Sequence, residues 1–153
     1  MCSSPRSRNN LPRRGTLVAV CLSGQKGTAK EPVEMGKLVA DWGLEGDAHA
    51  GTERQLSLLN EEKALQLTRA YGLPYRPGVF AENLVVRDLD LDQLQPGDRL
   101  RVGEALLEVV QRGKEAKPHH YSYHGLRLLP TDGIFCRVVK GGLVRQGDPV
   151  EQV

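Results

Sequence analysis

Asp47 and His49 stand two residues apart in the run Gly43-Leu44-Glu45-Gly46-Asp47-Ala48-His49-Ala50-Gly51-Thr52-Glu53-Arg54. On an extended backbone that spacing puts a carboxylate and an imidazole on one face. Gly46 and Gly51 bracket the pair and leave the chain free to turn or to approach a ligand closely. Arg54 follows, and its planar guanidinium suits an oxyanion. An acid, a titratable ring and a fork of donors in one short loop could build an anion or cofactor site. Taken alone, the same residues also fit an Asp-capped loop carrying a surface histidine.

Three of the four histidines, His119, His120 and His124, fall in one short stretch interleaved with Tyr121 and Tyr123. With His49 they could offer imidazole nitrogens to a divalent metal such as zinc or iron. The spacing matches no standard ligand motif, and adjacent loop histidines are commonly plain surface residues. Lys26, Lys30, Arg54, Arg112 and Lys114 could lend such a site a positive field for a phosphate-bearing ligand, though each read singly is a solvated charge. Cys21 and Cys136 lie in apolar runs and read as small core residues.

These side chains need elements to hold them. Thr16 to Leu22 is a short apolar run with β-branched residues, ending at Ser23-Gly24, and reads as a buried strand. Lys37–Trp42, Arg54–Leu59, Asn83–Val86 and Ile134–Val139 are further strands, and Arg99–Val102 with Ala105–Gln111 form a hairpin across Gly103-Glu104. One helix is clear, near residues 60–71. Asn60 suits its N-cap and Glu61 and Glu62 its first turn, while Ala64, Leu65, Leu67, Thr68 and Tyr71 supply an inward face and Gly72 ends it. Gly97-Asp98 and Gly147-Asp148 read as turns that start strands. Many short strands with turn punctuation and one clear helix predict a mainly β protein, a closed β-barrel with a few helices.

With 153 residues the chain is long enough for one domain with a core of its own. A net charge of +2 calls for no nucleic-acid partner, and no apolar run is long enough for a membrane span or serves as a secretory signal. Three widely spaced cysteines read as reduced thiols, which predicts a cytoplasmic protein. The first thirty residues hold no acid, and residues 1–15 read as a flexible basic tail ahead of a single domain over 16–153.

Further blocks follow the Asp47 loop in a fixed order: Gly78-Val79-Phe80-Ala81-Glu82-Asn83-Leu84, Leu94-Gln95-Pro96-Gly97-Asp98-Arg99-Leu100, Gly113-Lys114-Glu115, Gly133-Ile134-Phe135, then Gly141-Gly142 and Gly147-Asp148. The ordered set resembles the MOSC domain, named for the C-terminal part of molybdenum-cofactor sulfurases, and more closely its small stand-alone bacterial members. The likeness runs from about Thr16 to Val150. It implies a MOSC-type barrel with the Asp47/His49/Arg54 loop, Glu82-Asn83 and the Gly113–His120 segment converging at one mouth. It also implies a molybdenum-pterin cofactor or related oxyanionic ligand bound by Asp47, His49, Arg54, Glu82, Asn83 and Lys114. A small-molecule ligand and a redox or cofactor-delivery partner protein follow from the same likeness.

One departure stands out. Related proteins carry a cysteine just after Gly-Lys-Glu, thought to bind molybdenum or carry sulfur, and here that residue is Ala116. A methyl group cannot do either, so sulfur transfer is in doubt and the catalytic residues are left unassigned. Two other functions stay open. One is a metal-dependent enzyme using His49 with His119, His120 and His124; the other is a binding module without turnover.

Overall fold

The computed structural model describes residues 13–153. Residues 1–12, most of the expected basic tail, lie outside the described residues, and Arg14 and Gly15 already belong to the first strand. The described residues form eleven strands: β1 Arg14–Leu22, β2 Glu31–Val33, β3 Met35–Val39, β4 Gly43–Leu44, β5 Leu56–Asn60, β6 Leu84–Arg87, β7 Arg99–Val102, β8 Ala105–Arg112, β9 Ile134–Lys140, β10 Gly142–Arg145 and β11 Pro149–Gln152. Among the described residues two α-helices accompany them, α1 Glu61–Ala70 and the single turn α2 Leu129–Asp132.

Seven strands close a barrel in the order β11-β7-β8-β9-β5-β6-β1, with β1 returning to pair β11. Every pair in it is antiparallel except β5–β6, the one pair joined by a helical crossover through α1. β2 extends the sheet beyond β1, and β10-β3-β4 form a separate small sheet. The two Gly-Asp turns are built alike. Gly97 and Gly147 sit at φ +98° and +95°, and the next aspartate accepts from the backbone N–H three residues back, Asp98 from Gln95 and Asp148 from Arg145. No helix among the described residues is long and apolar enough to cross a membrane.

Period-two alternation divides β5 and β9 between two cores. Leu56, Leu58, Ile134 and Cys136 belong to the large apolar cluster that fills the barrel. Leu59 and Phe135 belong to a second cluster with Ala64, Val79, Phe80, Leu128 and Leu129, packed between the barrel's outer wall and the helices and loops. A seven-stranded barrel filled with leucine and valine leaves no lumen for a ligand.

Two local expectations change. Asn60 stands at the N-cap position of α1, but its side chain makes no cap. It bridges instead to the 86–91 turn, donating to Val86 O and Leu89 O and accepting from Leu91 N. Burial rewards satisfying those three backbone groups more than one helix-end N–H. Tyr71 is exposed: it is the C-cap residue of α1 at φ −107°, past the last helical turn, and Gly72 at φ +66° then turns the chain away. In the first turn of α1, Lys63 pairs with Asp92 and, at 3.1 Å, with Asp132 of α2, tying the two helices together.

Candidate functional site

Asp47 and His49 meet, though not across an extended strand. The segment is a turn in which Asp47 Oδ2 accepts from His49 N at 3.0 Å. Asp47 Oδ1 accepts from Ser23 N at 3.1 Å and from Lys30 Nζ at 2.7 Å. Lys30 is only 1% exposed, and its ammonium also lies 3.3 Å from His49 Nδ1. Burial pushes the Asp47 carboxyl up, but the backbone N–H of His49 and the Lys30 ammonium outweigh it and hold the group well below the usual carboxylate range.

Gly78 explains how a lysine reaches this depth. Lys30 N donates to Gly78 O at 2.8 Å, and a Cβ on Gly78 would lie 2.1 Å from Lys30 O. The residue also sits at φ +95°, so glycine is required twice over. Read from the sequence, Lys30 is one solvated cation among five. Nothing in its neighbours marks it, since the partner that buries it lies in a separate loop.

His49 lines a cavity of about 460 Å³, within the usual range for a small-molecule site. Ser57 of β5 and Phe135 of β9, opposite each other in register, form its floor on the outer wall of the barrel. Phe80, Leu126, Leu128 and Leu129 make an apolar wall, and Lys26, Arg54, Lys114 and Arg127 contribute cations. Glu115 is the single carboxylate in the lining, and among the described residues none of those four cations has a carboxylate within 4.0 Å. Burial, then the charges of Arg54 and Lys30, push the Lys114 ammonium below its ordinary value. Arg127 Nε is buried with no hydrogen-bond partner, while its Nη2 donates to Pro118 O and His120 O.

The Gly-Lys-Glu block owes its place to backbone contacts. Gly113 sits at φ +67°, donates to Gly133 O, and would strike Pro130 O at 2.5 Å if it carried a Cβ. Lys114 N donates to Pro130 O, which turns the lysine toward the cavity with Nζ 5.8 Å from the Phe135 ring centroid. The segment that follows is pinned to the 74–80 loop by two phenols: Tyr121 donates to Val79 O at 2.6 Å and Tyr123 to Pro74 O at 2.7 Å.

The structure therefore gathers His49, Arg54 and Lys114 around one cavity, with Asp47 directly behind His49. The site lies on the barrel's flank rather than at an open mouth. Glu82 and Asn83 stand behind the lining and are fully occupied by protein. Glu82 accepts from Tyr75 Oη at 2.6 Å and Phe80 N at 2.9 Å. Burial pushes its carboxyl above the ordinary value. Asn83 Oδ1 accepts from Ser57 N and Oγ, and its Nδ2 donates to Cys21 O, knitting β1, β5 and β6 together.

His119 and His120 line the cavity and pack edge to face, while His124 lies outside the lining against Tyr123. His120 Nδ1 accepts from Lys117 N, which takes that nitrogen out of play as a ligand. Among the described residues no three His, Cys, Asp or Glu side chains come close enough to hold a metal ion. Ala116 is exposed and is not part of the lining. Cys21 and Cys136 are wholly buried, and burial pushes the Cys21 thiol up to about 12 and raises that of Cys136 as well. Sequence reasoning missed Lys30's burial, Arg127 and the apolar wall from Leu126 to Leu129, none of which lies in a recognisable spacing.

The MOSC domain profile matches residues 45–151. No curated protein sequence matches the chain. Among solved structures, the YuaD protein from Bacillus subtilis superposes with a TM-score of 0.75 at 20% identity, covering 91% of this chain and 95% of that one. YiiM from Geobacillus stearothermophilus gives 0.70 at 23% identity, covering 91% and 75%. YiiM from Escherichia coli gives 0.69 at 25% identity, covering 93% and 70%.

Proposed function

This chain belongs to the MOSC domain family, and we propose that it binds a phosphate-bearing oxyanionic ligand of the molybdenum-pterin type in the flank cavity, without thiolate-dependent sulfur transfer. The observation that carries the reading is the charge balance of the lining. Four cations with no carboxylate partner and one acid surround a half-apolar space. Cations left without a carboxylate around a cavity favour an anionic occupant.

The residues present fit the oxyanionic part of such a ligand. Lys114, Arg54 and Arg127 would hold phosphate oxygens, and Phe80 with Leu128 would flank a planar ring. They do not supply the sulfur ligand of the family, because Ala116 stands in its place and both described thiols are sealed in the core. When bound, a molybdenum-pterin group would supply oxo-transfer chemistry. This chain's own part would be to bind, orient and neutralise it. A partner protein delivering or receiving the cofactor is consistent with a site that holds its ligand without a covalent anchor.

The test is to purify the protein from a host that makes molybdenum cofactor, then measure bound metals by mass spectrometry together with oxidised-pterin fluorescence. Molybdenum and pterin at near-equal ratio are expected, lost in a Lys114→Ala/Arg127→Ala variant. Zinc or iron without pterin would overturn the reading. So would an empty protein that also fails to bind inorganic phosphate.

A further inference from the structure

We infer that Lys30 is a positioning residue that fixes His49 with its proton on Nε2, so that the ring offers the cavity a hydrogen-bond donor and no metal-binding lone pair.

An ammonium carries three donors and no acceptor. Lys30 Nζ spends one proton on Asp47 Oδ1 at 2.7 Å and lies 3.3 Å from His49 Nδ1. That second contact is a hydrogen bond only if Nδ1 brings a lone pair, which leaves the proton of the neutral ring on Nε2. The rival arrangement has Nδ1 protonated and donating to Asp47 Oδ2. The distance there is 3.6 Å, beyond a hydrogen bond, and that oxygen already accepts from His49 N at 3.0 Å. A protonated Nδ1 would also set two N–H groups against each other beside a buried lysine.

Geometry then decides which edge is useful. Lys30 and the Asp47 side chain are buried, whereas the His49 side chain is 31% exposed and lines the cavity. With Nδ1 taken up on the buried side, Nε2 is the nitrogen left for a ligand. A metal ion would need a bare nitrogen there; an N–H selects an acceptor. The ligand atom facing His49 is therefore an oxyanion or carbonyl oxygen, a conclusion that rests on the cavity reading above. Lys30 and Asp47 offset each other's charge behind the ring, so what His49 offers the ligand is the direction of a donor.

The full chain labelled with ¹⁵N-histidine, observed in a long-range ¹H–¹⁵N spectrum at neutral pH, tests this directly. The His49 signals, identified by their loss in His49→Gln, are expected to show a protonated Nε2 and a bare Nδ1. A protonated Nδ1 would overturn the inference. Inorganic phosphate is expected to shift the Nε2–H signal and zinc to leave His49 unmoved; a zinc-dependent shift at His49 would also overturn it. If the tautomer is as assigned and phosphate moves nothing, the oxyanion-binding reading falls while the Lys30–His49 assignment stands.

Variants sharpen the role of Lys30. Lys30→Met is expected to populate the Nδ1–H form, now free to face Asp47, and an unchanged tautomer would mean that Lys30 does not set it. Should that variant not fold, the wild-type spectrum still decides. His49→Gln, whose amide can accept from Lys30 and donate to the cavity, is expected to keep phosphate affinity within about threefold. His49→Leu should lower it about tenfold or more. Equal losses in both would reduce His49 to a space-filling role.

Discussion

Asp47 and Glu82 are both buried carboxyls beside the same cavity wall, and the fold treats them in opposite ways. Asp47 receives a buried ammonium at 2.7 Å plus two backbone N–H groups, and its charged form is held. Glu82 receives one phenol and one backbone N–H, no cation, and its proton is favoured. Burial is the largest influence on each, so the difference comes from the company each keeps. Asp47 with Lys30 orients His49 at the edge of the site. Glu82 with Tyr75 holds Phe80, a piece of the apolar wall, in place. One buried acid orients a polar group of the cavity and the other sets its shape.

The sharpest way to break this contrast is to remove the cation. Lys30→Met would leave the Asp47 carboxylate buried without its counter-charge, and breaking a buried pair from one side costs about 3–5 kcal/mol. Chemical denaturation should show that loss, and Lys30→Met/Asp47→Leu should recover most of it. A single-variant loss below about 1 kcal/mol would mean that Asp47 does not depend on Lys30. Tyr75→Phe removes the corresponding partner of Glu82. Because only a neutral donor is lost there, the expected cost is smaller, about 1–2 kcal/mol by the same measurement.

The pH dependence of the two acids should run in opposite directions. Asp47 is depressed, so its contribution is present above the ordinary carboxylate pKa of 3.8 and is lost as pH falls through its lower folded value. Glu82 is raised from 4.5, so its contribution is present below that value and fades as pH climbs through the folded pKa. Glu82→Gln removes the second effect alone. Urea denaturation should therefore find the variant gaining on wild type between about pH 4 and pH 7, by less than Lys30→Met costs. A flat difference across that range would show that Glu82 ionises as freely in the fold as out of it.

The strands were legible because alternation and turn residues report local facts: the β7–β8 hairpin, the twin Gly-Asp turns and the α1 helix all follow from nearest neighbours in sequence. Asp47, His49, Arg54 and Lys114 were legible as a group, partly through geometry and partly through the order of blocks around them. Lys30 was not, because what buries it is Gly78, far along the chain, and a lysine in a loop looks the same buried or free. Asn60 and Asn83 misled in the same way. Each has the side chain of a cap or ligand donor, and each is consumed by backbone groups that only the closed barrel brings near. Location on the barrel's flank was equally hidden, since Ser57 and Phe135 show an outward face only once β5 and β9 are paired.

The smallest expected effect concerns Cys21, which lies in reach of Glu82. Its thiol is held up first by burial and then by Glu82, so removing the acid should lift only the lesser restraint. In a Cys2→Ser background, native protein should leave both remaining thiols unreactive toward a disulfide reagent, and unfolding should release two. Adding Glu82→Gln should leave the native protein just as unreactive, because the side chains over Cys21 still exclude the reagent. A fast native thiol in that double variant would mean that Glu82 and Tyr75 hold the 75–82 loop down over β1 as well as shaping the wall. The contrast between the two acids would then be one of packing more than of charge.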